Sequence, residues 1–168
     1  MLRELHEELG IPEDYGLDGS KPVFEEATDL VEVGLNLVGR MQRLTHKTAR
    51  QWAAMQGAAA DDGVTLLIVS GYRSIDYQAR LIRKKINAGQ SVNEILSVNA
   101  APGFSEHHTG RAIDIASPGS RPLTEEFEGS EAFRWLQENA ATYGFSMSYP
   151  RDNPAGFIYE PWHWAQNG

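Results

Sequence analysis

The sequence predicts an α+β fold, helices packed on a small, mostly antiparallel sheet. Two kinds of stretch carry that expectation. "VTLLIVS" and "RAIDIA" are short runs of branched or alternating apolar residues, while "IDYQARLIRKKIN" and "EAFRWLQENAATY" space their apolar residues three or four apart. The third observation is scale: 168 residues, 41% of them hydrophobic, with no internal repeat or low-complexity tract, suit one core.

Residues 1–28 are rich in turn signals ("IPEDYGLDGSKP") and read as a short helix followed by an extended arm of the same domain. Residues 29–168 form the rest of that domain. From Asp29, the spacing of Leu30, Leu37, Met41, Leu44, Thr48, Trp52 and Met55 predicts a helical region that Gly63 ends. Val64 to Ser70 reads as a buried strand. Ser74 with Asp76 marks a helix start, Tyr77, Leu81 and Ile82 share a face, and Gly89 is the stop. Tyr72 and Arg73 therefore fall in a tight turn between a strand's end and a helix's beginning. A second short helix near Val92 to Leu96 leads into the loop "NAAPGFSEHH".

In "RAIDIA", Ile113 and Ile115 point one way and Ala112, Asp114 and Ala116 the other. Ser130 caps a helix with Phe133, Leu136 and Tyr143 inward and Gly144 as its stop. "FSMSY" and "FIYE" are expected as the last strands.

A formal net charge of -8 argues against non-specific binding to nucleic acid or anionic lipid. The densest basic run, Arg83 to Lys85, reads with Arg80 as a solvated helix face. No segment reaches the roughly 18 apolar residues of a membrane span. The start "MLRELHEELGIPEDYG" has acids at once and no apolar signal core, so the chain as it stands is expected in the cytoplasm, or in the periplasm or envelope if a targeting segment was removed. Cysteine is absent, so there is no disulfide, and any metal must be held by His, Asp or Glu.

Two polar clusters stand out against this background. Asp114 lies between isoleucines in a strand, where a carboxylate needs a partner. Upstream are the neighbours His107 and His108, one of which can approach Asp114 if the chain turns at Gly110. Alone, each has a bland reading: a buried Asp capping a loop, or a structural His. The ending "EPWHW" changes the balance, with Glu160 and His163 three residues apart. A zinc hydrolase needs three protein ligands, an open position for water and a carboxylate to take the water's proton. One of the paired histidines with Asp114 and His163 supplies such ligands, and Glu160 the carboxylate.

"SEHHTGRAID" matches the pattern SxHxxGxAxD, "EPWHW" matches ExxHW, and "SGYRSIDYQ" is similar to SGYRSxxxQ. In these motifs the chain resembles the VanY-like zinc D-alanyl-D-alanine carboxypeptidases and their LAS-group relatives, from about Val64 to Trp164. The resemblance implies the LAS-type fold, one zinc ion held by His107, Asp114 and His163, and Glu160 as catalytic base. It chooses His107 over His108, which spacing alone does not. It also implies Arg73 at the oxyanion or the substrate's terminal carboxylate, and Ser105 and Gln78 as substrate contacts.

Tyr72 is expected to line the cleft or pack in the core, and Trp162 and Trp164 to wall the site. The implied substrates are peptidoglycan stem peptides or muropeptides that lose a terminal D-alanine to a D,D- or L,D-carboxypeptidase. An endopeptidase of lysin type and a zinc-bearing binding module without catalysis are the alternatives. The presence of Glu160 speaks against the second.

Overall fold

The computed structural model describes residues 1–167; Gly168, the last residue of the expected domain, lies outside the described residues. In chain order the elements are α1 (Leu2–Leu9), β1 (Leu30–Leu35), β2 (Met41–Thr45), α2 (His46–Asp61), β3 (Leu67–Ser70), α3 (Ile75–Asn87), α4 (Val92–Val98), β4 (Ala112–Ala116), α5 (Glu131–Asn139), β5 (Phe145–Met147) and β6 (His163–Gln166). Short 3-10 turns cover Glu106–Thr109, Glu125–Gly129 and Ala140–Tyr143. β1 and β2 form a hairpin; the other four strands form an antiparallel sheet in the order β3-β4-β6-β5.

The expected α+β class holds, with two corrections. The stretch from Leu30 to Thr45, expected to be helical, is the β1–β2 hairpin. Its apolar spacing fits a helix, but Asn36 and Gly39 make a turn. The Asn36 carboxamide oxygen accepts from the backbone N–H of Val38 and Arg40, and Gly39 takes a φ of 77°. The helix begins only at His46, where the Thr45 side chain caps it by accepting from the Thr48 N–H.

The second correction concerns "FIYE", which makes no strand. Asn153 folds this segment into a loop, accepting from the Phe157 N–H and donating to the Pro150 and Phe157 carbonyls. The strand comes later, at His163–Gln166, past Pro161. The predicted strand 64–70 shortens to Leu67–Ser70, and the helix capped by Ser130 ends in a 3-10 turn with Gly144 in the left-handed region.

Two cores support the sheet. Trp52 and Met55 of α2, Ile113 and Ile115 of β4, Phe133 and Leu136 of α5 and Trp164 of β6 pack as one cluster. Leu9 and Ile11 join Ala79, Ile82, Ile95 and Ala101 in a second. Every residue of β4 is buried, so both of its faces are covered. The N-terminal segment is tied to the motif loop: Phe24 N–H donates to Gly103 C=O and Ala27 N–H to His108 C=O, each at 2.8 Å.

Candidate metal centre

The strand register builds the site. β4 and β6 pair so that Asp114 sits opposite His163, while β3 and β4 place Ser70 opposite Asp114. The turn after β3 then carries Gly71, Tyr72 and Arg73 past the loop that holds His107. The Arg73 N–H donates to the His107 carbonyl at 3.1 Å, and Gly71 passes so close to β2 that an added Cβ would lie 2.7 Å from the Arg43 carbonyl oxygen. Gly110, with φ 67°, ends the 3-10 turn and returns the chain into β4.

Each nitrogen of the histidine pair can be assigned. His107 Nδ1 lies 2.7 Å from the Gly71 carbonyl, which only accepts, so Nδ1 carries the proton and Nε2 presents a lone pair. Nε2 faces Asp114 Oδ1 at 3.2 Å. His108 is different: Nδ1 donates to the Arg73 carbonyl and Nε2 accepts from the Gly103 N–H. Both its nitrogens are spent on the backbone, which removes His108 as a ligand and makes it a brace between the two loops.

His163 Nε2 lies 2.7 Å from Glu106 Oε1, leaving Nδ1 3.3 Å from Asp114 Oδ1 and 3.7 Å from Glu160 Oε2. Glu106 is itself fixed by the Ser148 hydroxyl, which donates at 2.6 Å. Tyr149 tilts over the His163 ring, with centroids 4.7 Å apart.

The electrostatics follow from these contacts. Burial opposes the charge on His163, but the facing Asp114 and Glu106 carboxylates prevail and hold its pKa up to about 10. Burial also works against the Asp114 carboxylate, yet the protonated His163 beside it holds it below the usual range. Burial and the nearby Arg73 charge push His107 down, keeping it neutral. Glu160 is raised to about 7, first by burial, with the Asp114 and Glu106 charges adding and the His163 and Arg73 charges subtracting.

A metal fits this cluster. One ligand atom from each of His107, Asp114 and His163 lies within 4.8 Å of the others. His107 Nε2 and Asp114 Oδ1 are buried with no hydrogen-bond partner among the described residues, an expensive state that a cation between them relieves. Two imidazoles and a carboxylate are a donor set suited to zinc, with Glu106 on His163 and the Gly71 carbonyl on His107 orienting the rings from behind.

The cluster lies in a cavity of about 230 Å³ whose walls include Arg73, Ser105, Glu106, Tyr149, Glu160 and Trp162. Ser105 Oγ also caps the 3-10 turn, accepting from the His107 N–H. Arg73 Nε is buried and without a partner.

Three expected site residues lie elsewhere. Tyr72, beside Arg73 on extended chain, points the other way into a neighbouring groove, with the Arg43 guanidinium over its ring. Gln78 is fully buried on α3, its Nε2 donating to the Ala100 carbonyl, and supports the cavity wall without reaching the cavity. Trp164 alternates away from His163 into the core against Phe133.

Conversely, Tyr149 and Lys85 line the cavity without having been singled out, as does Glu106, whose role the sequence leaves open. Glu106, beside a ligand in the motif, offered a signal; Tyr149 offered none. Lys85, expected on a solvated face, is half-buried and turned inward.

The family model described as VanY, D-alanyl-D-alanine carboxypeptidase, matches residues 41–168. The chain belongs to this family. It is 31% identical to the D-alanyl-D-alanine carboxypeptidase of Enterococcus faecalis over 82% of this chain and 53% of that one. The chain spans about half the length of the curated relatives it matches.

Among solved structures, the LdcB LD-carboxypeptidase superposes with a TM-score of 0.75 at 33% identity, covering 88% of this chain and 72% of the other. The vancomycin-resistance D,D-pentapeptidase VanY, solved with Zn(II), gives 0.64 at 29% identity over 86% and 83%. The VanY architecture therefore accounts for the α+β fold, and its zinc structure agrees with the metal group formed here by His107, Asp114 and His163.

Proposed function

We propose that this chain is a zinc carboxypeptidase that releases the terminal D-alanine from peptidoglycan stem peptides. The observation that carries the reading is the convergence of His107 Nε2, Asp114 Oδ1 and His163 Nδ1, with Glu160 alongside in one cavity. His107, Asp114 and His163 would hold the ion. When bound, zinc supplies a Lewis acid and a water acidic enough to be deprotonated near neutral pH.

The rest is the work of the chain's own groups. Glu160, 3.7 Å from His163 Nδ1, takes a proton from the attacking water and returns it to the leaving amine nitrogen. Arg73 supplies positive charge where the scissile carbonyl oxygen becomes negative, and its unpartnered Nε is free to donate there. Ser105 contacts the substrate at the cavity wall. Trp162, nearly buried, and Tyr149 keep the reacting amide out of bulk water.

The likeness to an LD-carboxypeptidase and to D,D-enzymes leaves one assay to name the bond. The zinc-loaded protein is incubated with a pentapeptide ending D-Ala-D-Ala and a tetrapeptide ending in one D-Ala, and the products are read by mass spectrometry. Loss of alanine from the tetrapeptide alone marks an L,D-enzyme, and from the pentapeptide alone a D,D-enzyme. Cleavage inside the peptide marks the endopeptidase, and no cleavage by the zinc-bound protein contradicts the proposal.

A further inference from the structure

We propose that Lys85 anchors the substrate's terminal carboxylate and so makes the site one for chain ends. The inference rests on the carboxypeptidase reading and assigns to a residue outside the motifs the contact that separates an exopeptidase from an endopeptidase.

The cavity is lined by both signs of charge. Its carboxylates, Asp114, Glu106 and Glu160, are gathered on the histidines, Asp114 between both rings and the other two on His163. Of its cations, Arg73 and Lys85, neither forms an ion pair with a carboxylate among the described residues. Lys85 is half-buried in the cavity wall, while its neighbour Lys84 is exposed. An ammonium held there without a counter-charge is costly, and an incoming carboxylate removes that cost.

Arg73 is tied to the reacting centre, its N–H donating to the His107 carbonyl, whereas Lys85 lines the same cavity from α3. A peptide cut at its last bond brings two oxygen-bearing groups into the cavity: the scissile carbonyl, which becomes an oxyanion, and the terminal carboxylate beyond it. Arg73 takes the first and Lys85 the second. Val98, Leu123 and Ile158 give the same cavity an apolar part of its wall. An amide or a continuing chain offers Lys85 no charge.

The test compares stem peptides ending in D-alanine as the free acid and as the C-terminal amide, with zinc-loaded wild type, Lys85→Met and Lys85→Arg. Wild type is expected to favour the acid by at least about tenfold in kcat/KM, the size of one charge-assisted contact. Lys85→Met should raise KM for the acid at least about tenfold more than for the amide with kcat little changed, and Lys85→Arg should restore much of the preference. An acid preference that survives in Lys85→Met, or an equal loss on acid and amide, overturns the assignment.

The same peptides are titrated into zinc-loaded Glu160→Ala with and without Lys85→Met, which needs no turnover. If wild type cuts nothing but the acid binds through Lys85, the proposed reaction fails and the subsite stands. If binding of acid and amide is equal in both proteins, the subsite fails. Unchanged circular dichroism and melting of Lys85→Met confirm that the fold is intact.

Discussion

Asp114 and His163 are directly paired residues of β4 and β6, and Asp114 Oδ1 lies 3.3 Å from His163 Nδ1. Residues far apart in the chain are thus joined by sheet register. A slip of one residue would send one of the two side chains to the opposite face of the sheet. The neighbouring pair, Ile113 with Trp164, is buried in the main core and pins that register. Hydrophobic packing on one side of the sheet therefore sets ligand geometry on the other.

Glu160→Ala should keep the metal and lose turnover by about 10²–10⁴-fold, the usual worth of a positioned general base. Metal content by atomic emission and kcat on the preferred stem peptide check the two halves separately. Activity near wild type would assign the proton transfer elsewhere.

Glu106 touches no ligand atom facing the metal cluster, yet it holds His163 by its far nitrogen. Glu106→Ala should weaken zinc binding by about 10–100-fold, measured by competition with a chelating dye. Ser148→Ala, which removes only the support of Glu106, should give a smaller change in the same direction.

Metal binding should release protons and tighten as pH rises through neutrality. Against the opposing effect of burial, Asp114 and Glu106 hold metal-free His163 up to about 10, so at pH 7 it carries a proton that it must give up to become a ligand. Calorimetry in buffers of different ionisation enthalpy reads that proton. The same raised value stabilises the metal-free fold fully below the ordinary histidine value of 6.5, and this contribution is lost as pH climbs through about 10. Stripping zinc should therefore leave a protein whose Tm falls on the alkaline side.

Gly71→Ala should cost about 1–3 kcal/mol in chemical denaturation, because its Cβ would meet the Arg43 backbone oxygen at 2.7 Å and that backbone cannot yield like a side chain. The Gly71 carbonyl also orients His107, so zinc affinity should fall along with stability.

What the sequence revealed depended on whether the signal was local. The Ser74 cap, the strand around Asp114 and the Ser130 cap were legible because each is written within a few residues. The β1–β2 hairpin was not: the spacing of Leu30, Leu37, Met41 and Leu44 satisfies a helix, and only the Asn36 turn, closed by side-chain bonds, decides otherwise. The motifs picked out His107, Asp114, Glu160 and His163, which the fold brings together. They did not reveal why His108 is excluded, because that depends on the Arg73 carbonyl and the Gly103 N–H arriving from two loops. Gln78 and Tyr72 lay beside Arg73 in the sequence but outside the cavity, since helix and turn geometry point them elsewhere. Lys85 was hidden in a basic run because nothing local says which of two adjacent lysines faces inward.

The most direct test of the metal centre is anomalous scattering at the zinc edge from crystals of the zinc-loaded protein. The account predicts a single peak about 2.0–2.2 Å from His107 Nε2, Asp114 Oδ1 and His163 Nδ1, with Glu106 still on His163 Nε2. A peak elsewhere, or one bound through His163 Nε2 or through His108, would contradict it.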